Sequence, residues 1–306
     1  MEQGLEVRRA GGASPERRLL LVDGHAYAYR AYHALQRLSG PDGAPTHAIY
    51  GFIKMLGRLR IDCSPTHWMV VWDGGLDAGR VAALPEYKSN RPPMPKDLAA
   101  QLPGMIEYLE AARVAWRQED GIEADDAIAS LCRQAVAQGA WVTVASSDKD
   151  FMQLVGERVG LENPSGAAGR RLGVSEVVEK TGVRPEQVVD WLSLIGDAVD
   201  NVAGVPGIGP KTASKLLAQF GSAEELYGRL SEVEPAAVRE KLGSSQAVVR
   251  RNQGLIRLRS EVRVEMDWDG AAVRPGDEQR LRSLYERWGF RSLAAELGGL
   301  RQGELW

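Results

Sequence analysis

Cysteine is almost absent from this 306-residue chain: Cys63 and Cys132 are the only two, and neither belongs to a CxxC pair. That excludes a disulfide framework and a thiolate metal site, and it suits a reducing interior. Four scattered histidines leave no His-based zinc centre. No run of about 18 apolar residues occurs, so no segment is expected to span a membrane. No GxSxG and no Cys/His pairing is present, and the Walker-type GxxxxGK(S/T) spacing is missing. Chemistry by a protein nucleophile and a Walker-type nucleotide site are therefore unsupported. Positive charge is not in excess either: 38 Lys and Arg stand against 41 Asp and Glu, a net charge of −3. At first this argues against a nucleic-acid partner. The argument fails if the acids gather at metal sites, where bound cations invert the local sign.

The acids that are present fall at the ends of elements. Residues 1–17 lack the apolar core of a secretory signal and read as a disordered tail. Arg18 to Val22 is a short apolar run that closes on Asp23. Tyr27, Tyr29, Arg30 and His33 follow on a helix, and a second helix runs from about Thr46 to Leu59. Thr66 to Trp72 is the next strand and closes on Asp73. Ala140 to Ala145 is a third, leading into Ser147-Asp148-Lys149-Asp150. Strands alternating with helices indicate a parallel sheet, and ligands gather at the carboxyl ends of such strands. Glu123, Asp125 and Asp126 open a helix, with Glu123 and Asp126 on one face and Asp125 pointing elsewhere. Asp197 and Asp200 precede a Gly- and Pro-rich turn. Residues 156–173 give no firm secondary structure, and the chain from about Ser175 reads as helical.

Singly, each of these acids fits a helix cap, a helix start or a solvated turn. Nine together at one end of a sheet would repel and raise one another's pKa values unless cations compensate. Oxygen ligands without His or Cys favour magnesium or manganese, and the number suggests two or more ions. Paired divalent ions suit phosphodiester hydrolysis. Asp77 to Pro95 carries Arg80, Tyr87, Lys88 and Arg91 among prolines and reads as a long, mobile basic excursion. Lys88 and Arg91 are placed to reach a phosphate, and Tyr87 to stack on an unpaired base. In Gly204-Val-Pro-Gly-Ile-Gly-Pro-Lys-Thr212, Gly207 and Gly209 permit close approach, and Pro210 suits a first helical turn. Free N–H groups there, with Lys211, Thr212 and Lys215 beside them, make a phosphate grip.

The motifs Leu-Val-Asp23-Gly-His, Tyr87-Lys-Ser-Asn-Arg91, Glu123-Ala-Asp-Asp126, Ser147-Asp-Lys-Asp150 and Gly196-Asp-x-x-Asp200-Asn resemble the 5′ nuclease family. The match is nearest to the 5′–3′ exonuclease domains of bacterial DNA polymerases I, and it extends to flap endonucleases over about residues 18–298. The resemblance implies an α/β fold: a PIN-like nuclease core over 18–174 with a central, mostly parallel sheet and a helical arch at about 77–110. It implies a helical region over 175–306 holding a helix–two-turn–helix element at about 196–220. It places Asp23, Asp73, Glu123, Asp125 and Asp126 around a first magnesium or manganese ion, and Asp148, Asp150, Asp197 and Asp200 at a second site. Lys88 and Arg91 match arch residues that contact the reacting phosphate, and Arg30 matches a basic residue near the active site. The Gly207–Gly209 turn matches a duplex-binding loop that often carries potassium.

The implied activity is metal-dependent, structure-selective cleavage near the junction of a 5′ single strand and duplex, with removal of RNA primers and DNA repair as its use. Expected partners are DNA with 5′ flaps, nicks or overhangs, RNA–DNA junctions, and a DNA polymerase in cis or in trans. No polymerase sequence follows Trp306, so the expectation is either a stand-alone exonuclease or a domain cut from a longer protein. A cytoplasmic, nucleoid-associated monomer is expected. The competing readings are a DNA-junction binding protein of the same fold without useful catalysis, and a small-molecule phosphatase using Asp148 and Asp150. The complete acid set disfavours the first, and the second lacks a DxD at the first strand end.

Overall fold

A computed structural model describes residues 16–162 and 171–299, with side chains as far as Leu297. The expected tail therefore lies outside the described residues up to residue 15, as do residues 163–170 of the Gly-rich stretch. Among the described residues no helix is long and apolar enough to cross a membrane.

Six strands form one sheet: β1 (Arg18–Asp23), β2 (His67–Trp72), β3 (Ala115–Gln118), β4 (Trp141–Ala145), β5 (Val159–Glu162) and β6 (Arg171–Leu172). Their order is β3-β2-β1-β4-β5-β6. Every pairing is parallel except β5 with β6. The chain builds outward from β1 to β2 and β3, then crosses back to β4 on the other side of β1. The strand order thus reverses between β1 and β4, the place where open α/β sheets bind ligands.

The inner strands are apolar without alternation because both faces are covered. Leu19, Leu21, Met69, Val71, Val142 and Val144 join one core with Ile128 and Leu131 of α6 (Ala124–Ala137). Leu20, Val22, Trp68 and Val70 join the other, with residues of α1 (Gly24–Ala34), α2 (His47–Cys63) and α5 (Leu102–Ala111).

Two short helices, α3 (Ala78–Ala83) and α4 (Lys96–Ala99), flank the prolines of the basic excursion. That excursion is not free of the core: Arg80, Tyr87 and Lys88 are all buried. The helical region comprises α7 (Val174–Thr181), α8 (Val188–Ile195), α9 (Pro210–Phe220), α10 (Ala223–Gly228) and the 21-residue α11 (Ala236–Ile256). After α12 (Trp268–Ala271), α13 (Glu278–Trp288) and α14 (Arg291–Gly299) return to the sheet. Their Leu281, Tyr285 and Leu293 join the same core as Phe52 and Leu56 of α2. The stretch expected as one helical region from residue 175 onward thus divides between two places.

Candidate active site

The expected acids meet at the carboxyl edge of the sheet. Asp23 ends β1 and caps α1, accepting the Ala26 N–H at 3.0 Å and the Ser146 hydroxyl at 2.9 Å. Asp73 follows β2, and its N–H donates to His25 Nδ1 at 3.1 Å. Gly74 is required beside it: a Cβ there would lie 1.7 Å from the Glu119 carbonyl, so only glycine lets this turn meet the loop after β3. Asp148 follows β4 and accepts the Asp150 N–H at 2.9 Å. Asp197 and Asp200 arrive from the helical region through a two-residue ladder, Gly196–Asp197 with Val202–Ala203. Gly196 has φ +81, and a Cβ would lie 2.4 Å from the Gly204 nitrogen. Asp23, Asp73, Asp125, Asp148 and Asp197 line one cleft of about 370 Å³, together with His25, Tyr29, Lys88, Arg91 and Lys149.

Crowding and burial show in the acidities. Burial raises Asp23 to about 6 against the Ala26 and Ser146 hydrogen bonds, with Asp148 and Asp73 adding to the rise. Burial likewise raises Asp73, although Lys88 and His25 oppose it. Asp125 is pushed well up by burial, then by Asp148 and Asp23. Asp150 is pushed well up by burial, then by Asp148, Asp197 and Asp200. Burial also raises Asp148. Two buried oxygens, Asp73 Oδ1 and Asp150 Oδ1, have no hydrogen-bond partner among the described residues. One carboxylate oxygen from each of Asp150, Asp197 and Asp200 lies within 4.8 Å of the others. Unpartnered, mutually repelling oxygens without thiol ligands are a donor set suited to hard divalent cations.

Two expected ligands are engaged otherwise. Asp126 gives both oxygens to Arg80, at 2.9 and 2.8 Å, and Oδ1 also accepts the Arg259 N–H at 2.8 Å. It does not line the cleft. Glu123 accepts Arg80 at 2.8 Å, Lys88 at 2.9 Å, the Tyr87 hydroxyl at 3.3 Å and the Asp77 N–H at 3.2 Å. Burial pushes Glu123 up, but Lys88 and Arg80 more than offset it and hold it below the usual range. The helix-face argument is correct in geometry. Glu123 and Asp126 do share a face, which turns to Arg80, while Asp125 points into the cleft.

Lys88 lies between Glu123 and Asp200, 3.9 Å from the latter, and Arg91 pairs with Asp200. Burial alone would depress Lys88, but Asp125 and Glu123 more than offset it, so its amine is held protonated. Tyr87 does not present an open ring: it is 5% exposed, packed in the sheet's core and hydrogen-bonded to Glu123. That corrects the expectation of base stacking in this conformation. Arg30 sits half-buried on α1 and is not among the cleft-lining residues.

In the hairpin, Gly207 takes φ +77, Ile208 is buried, and Gly209 precedes the Pro210 start of α9. Gly207, Gly209, Lys211 and Lys215 are exposed and Thr212 is half-buried. A Cβ on Gly207 would lie 2.7 Å from Lys241 Nζ, so a further cation from α11 overhangs the turn. Reasoning from the sequence missed Lys241, the Arg80 clamp and Lys149, which pairs with Asp197 at 3.0 Å. Lys149 carried a signal, since it sits inside the Asp148–Asp150 motif.

Residues 18–182 match the profile described as "5′-3′ exonuclease, N-terminal resolvase-like domain", and residues 183–279 match "5′-3′ exonuclease, C-terminal SAM fold". Over 283 residues the chain is 37% identical to a DNA polymerase I of Rhizobium leguminosarum, covering 90% of this chain and 28% of that protein. Over 285 residues it is 38% identical to the thermostable DNA polymerase I of Thermus aquaticus, covering 93% and 33%. The chain thus spans about a third of the length of these relatives. Among solved structures, T5 5′-exonuclease with divalent zinc ions bound superposes with a TM-score of 0.65 at 22% identity, covering 92% of this chain and 98% of that one. The catalytic core of Rad2 in complex with DNA substrate gives 0.63 at 17%, covering 92% of each. At these identities the structural likeness establishes the fold alone.

Proposed function

The chain belongs to the 5′–3′ exonuclease family, and from that premise we propose that it is a structure-selective 5′ nuclease that hydrolyses phosphodiesters near single-strand/duplex junctions with divalent magnesium or manganese. One observation carries the reading: seven buried or cleft-lining aspartates, two with unpartnered buried oxygens, meet at the sheet's switch point beside Lys88 and Arg91.

Asp23, Asp73, Asp125 and Asp148 on one side, and Asp150, Asp197 and Asp200 on the other, would hold the ions. When bound, such ions make hydroxide available near neutral pH and draw charge from the scissile phosphate and the leaving oxygen. Lys88 keeps its proton and so binds and polarises phosphate rather than acting as a base. Arg91, at the cleft rim, offers a guanidinium whose planar fork matches phosphate oxygens. Burial lowers His25, and its Nδ1 accepts the Asp73 N–H, so it fixes the Asp73 turn as a neutral imidazole.

The exposed Gly207–Gly209 turn, with Lys211 and Lys215, would hold duplex backbone without reading sequence. The Rad2 catalytic core, solved in complex with DNA substrate, is consistent with that class of partner. Flaps, nicks and RNA–DNA junctions as substrates, a polymerase in cis or in trans, potassium at the turn and a nucleoid setting extend the same proposal.

The decisive experiment sizes the products of a labelled 5′-flap duplex incubated with Mg²⁺. Short products from the 5′ side, abolished by chelation, are expected. Intact substrate at saturating protein with either Mg²⁺ or Mn²⁺ would sink the reading. Duplex affinity compared in K⁺ and Na⁺ at equal ionic strength tests the potassium.

A further inference from the structure

A second polar groove, about 630 Å³ in volume, lies between α10 and α11, away from the acidic cleft. One wall is a stripe on α11 and its cap: Gln246, Arg250, Gln253 and Arg257, spaced i, i+4, i+7 and i+11 and so on one side of the helix. Tyr227 and Glu224 of α10 form the other wall.

Most arginines nearby are satisfied: Arg229 by Glu232, Arg239 by Glu234, Arg259 by Asp77. Arg250 and Arg257 are exposed, and neither guanidinium has a hydrogen-bond or ion-pair partner among the described residues. Glu224, the one acid lining the groove, is not within ion-pair distance of either. Gln253 is fixed in place by its hydrogen bond to the buried Asp190 at 2.7 Å.

Gly254 is the second observation. It lies in the last turn of α11, four residues after Arg250 and three before Arg257, and a Cβ there would meet nothing within 4 Å. Neither packing nor a positive φ requires glycine, which costs a helix interior stability relative to alanine. Gly228, which lines the groove, is equally open. Bare backbone beside unpaired arginines is what a closely approaching ligand backbone needs.

The stripe is long, about 16 Å from Gln246 to Arg257 at 1.5 Å per residue, and its two arginine positions are about 10 Å apart along the helix axis. An extended polyanion, with phosphates repeated along its length, can engage both side chains at once. The stripe ends at the base of the expected arch. The Arg257 carbonyl accepts Arg80 Nη2 at 3.1 Å, and the next turn delivers the Arg259 N–H to Asp126. The hairpin lies at the opposite end of α9 from α10, so the groove is separate from it.

We propose that the α10–α11 groove holds a phosphodiester backbone of the nucleic-acid substrate, as an anchor independent of the hairpin. The ligand class rests on the nuclease reading; the groove itself does not. An acidic peptide is the weaker fit, because the groove offers only Ala223 and the Tyr227 ring as apolar lining for its side chains.

The test measures affinity by fluorescence anisotropy across a salt series, in chelator so that nothing is cut. The probes are a blunt duplex and the same duplex with a 5′ single strand. R250A/R257A is expected to bind at least tenfold more weakly and to flatten the log–log salt slope by about 1.4 if the contacts are to single strand, or about 1.8 if to duplex. The probe that suffers identifies which strand occupies the groove. Gly254→Ala is expected to raise Tm yet weaken binding. A salt slope unchanged for both probes overturns the proposal. So does poly-glutamate binding wild type more tightly than the probes and losing that advantage in the double variant. Wild-type flap cleavage in Mg²⁺, run alongside, separates the readings: its absence sinks the nuclease function, whereas cleavage with an unchanged slope sinks only the groove.

Discussion

Arg80 and Asp126 form a two-pronged ion pair, Nη1 to Oδ2 at 2.9 Å and Nη2 to Oδ1 at 2.8 Å, with both side chains 2% exposed. Nη1 also reaches Glu123, and Nη2 the carbonyl of Arg257. One side chain thereby fastens α3, the start of α6 and the end of α11. Arg80→Met would leave Glu123 and Asp126 buried with Lys88 as their remaining close cation. Breaking a buried pair this way costs about 3–5 kcal/mol, read as a lowered denaturant midpoint. Asp126→Asn is expected to lose stability first, with divalent affinity by calorimetry kept within a few-fold. The reverse pattern, full stability with lost divalent binding, would place Asp126 at the metal site.

The acidic cleft sets a pH dependence. Asp23 has a folded pKa of about 6 against an ordinary 3.8, and Asp73, Asp125, Asp148 and Asp150 are raised too. Groups raised on folding bind more protons in the native state, so stability is lost as pH rises through the folded values. The metal-free protein is expected to melt at lower temperature at pH 7 than at pH 5. Glu123, depressed on folding, works in the opposite sense and limits the gain as pH falls below the ordinary glutamate range. Millimolar Mg²⁺ should raise Tm strongly at pH 7 and little at pH 5, because it competes with the same protons. Equal Mg²⁺ stabilisation at both pH values would contradict this. Proton release on Mg²⁺ binding, greater at pH 6 than at pH 8, is an independent check by calorimetry in buffers of different ionisation enthalpy.

What could be read from the sequence follows from how local each signal is. β1, β2 and β4 announce themselves as apolar runs closing on acids, because both sheet faces are covered. β3 is a four-residue edge strand carrying Arg117 and Gln118, and β5 begins in a Gly-rich stretch, so neither has a local pattern. The acids of the cleft were legible because their spacing survives within short motifs. The pairing of Asp126 with Arg80 was not. Its partner Arg80 is 46 residues away in a stretch with no helical periodicity, and nothing near Asp126 reveals that a guanidinium will arrive. The same distance hid the return of α13 and α14 to the sheet.

Lys88 sits at φ +55, a conformation rare for a residue with a side chain, with its N–H on the Asp200 carbonyl at 3.0 Å. This aims the ammonium into the cleft between Glu123 and Asp200. If Lys88 meets the reacting phosphate as proposed, Lys88→Ala removes a preorganised cation from it and is expected to lower the single-turnover cleavage rate by about 100-fold, within the range for such groups. Flap affinity should change by less than tenfold. A fall in affinity that matches the fall in rate would make Lys88 a simple binding residue. Lys88→Arg is expected to recover only part of the rate, since the bulkier guanidinium must share a pocket closed by Tyr87.

The hairpin's contribution is separable by salt. Lys211 is exposed in the first turn of α9, and if it meets one backbone phosphate as proposed, Lys211→Ala should flatten the log–log salt dependence of duplex binding by about 0.9. Gly207→Ala acts differently. At φ +77 any side chain is strained, and its Cβ would lie 2.7 Å from Lys241 Nζ. The turn must shift or the lysine must swing away, so both the backbone donors and the overhanging cation are displaced. Gly207→Ala is therefore expected to weaken duplex binding more than Lys211→Ala, while Lys241→Ala restores part of the loss by relieving the collision. A double variant no better than G207A alone would show that backbone strain dominates and that Lys241 is a bystander. Recovery in the double variant, together with weaker binding by Lys241→Ala alone, would establish that the turn and Lys241 act on the same phosphate.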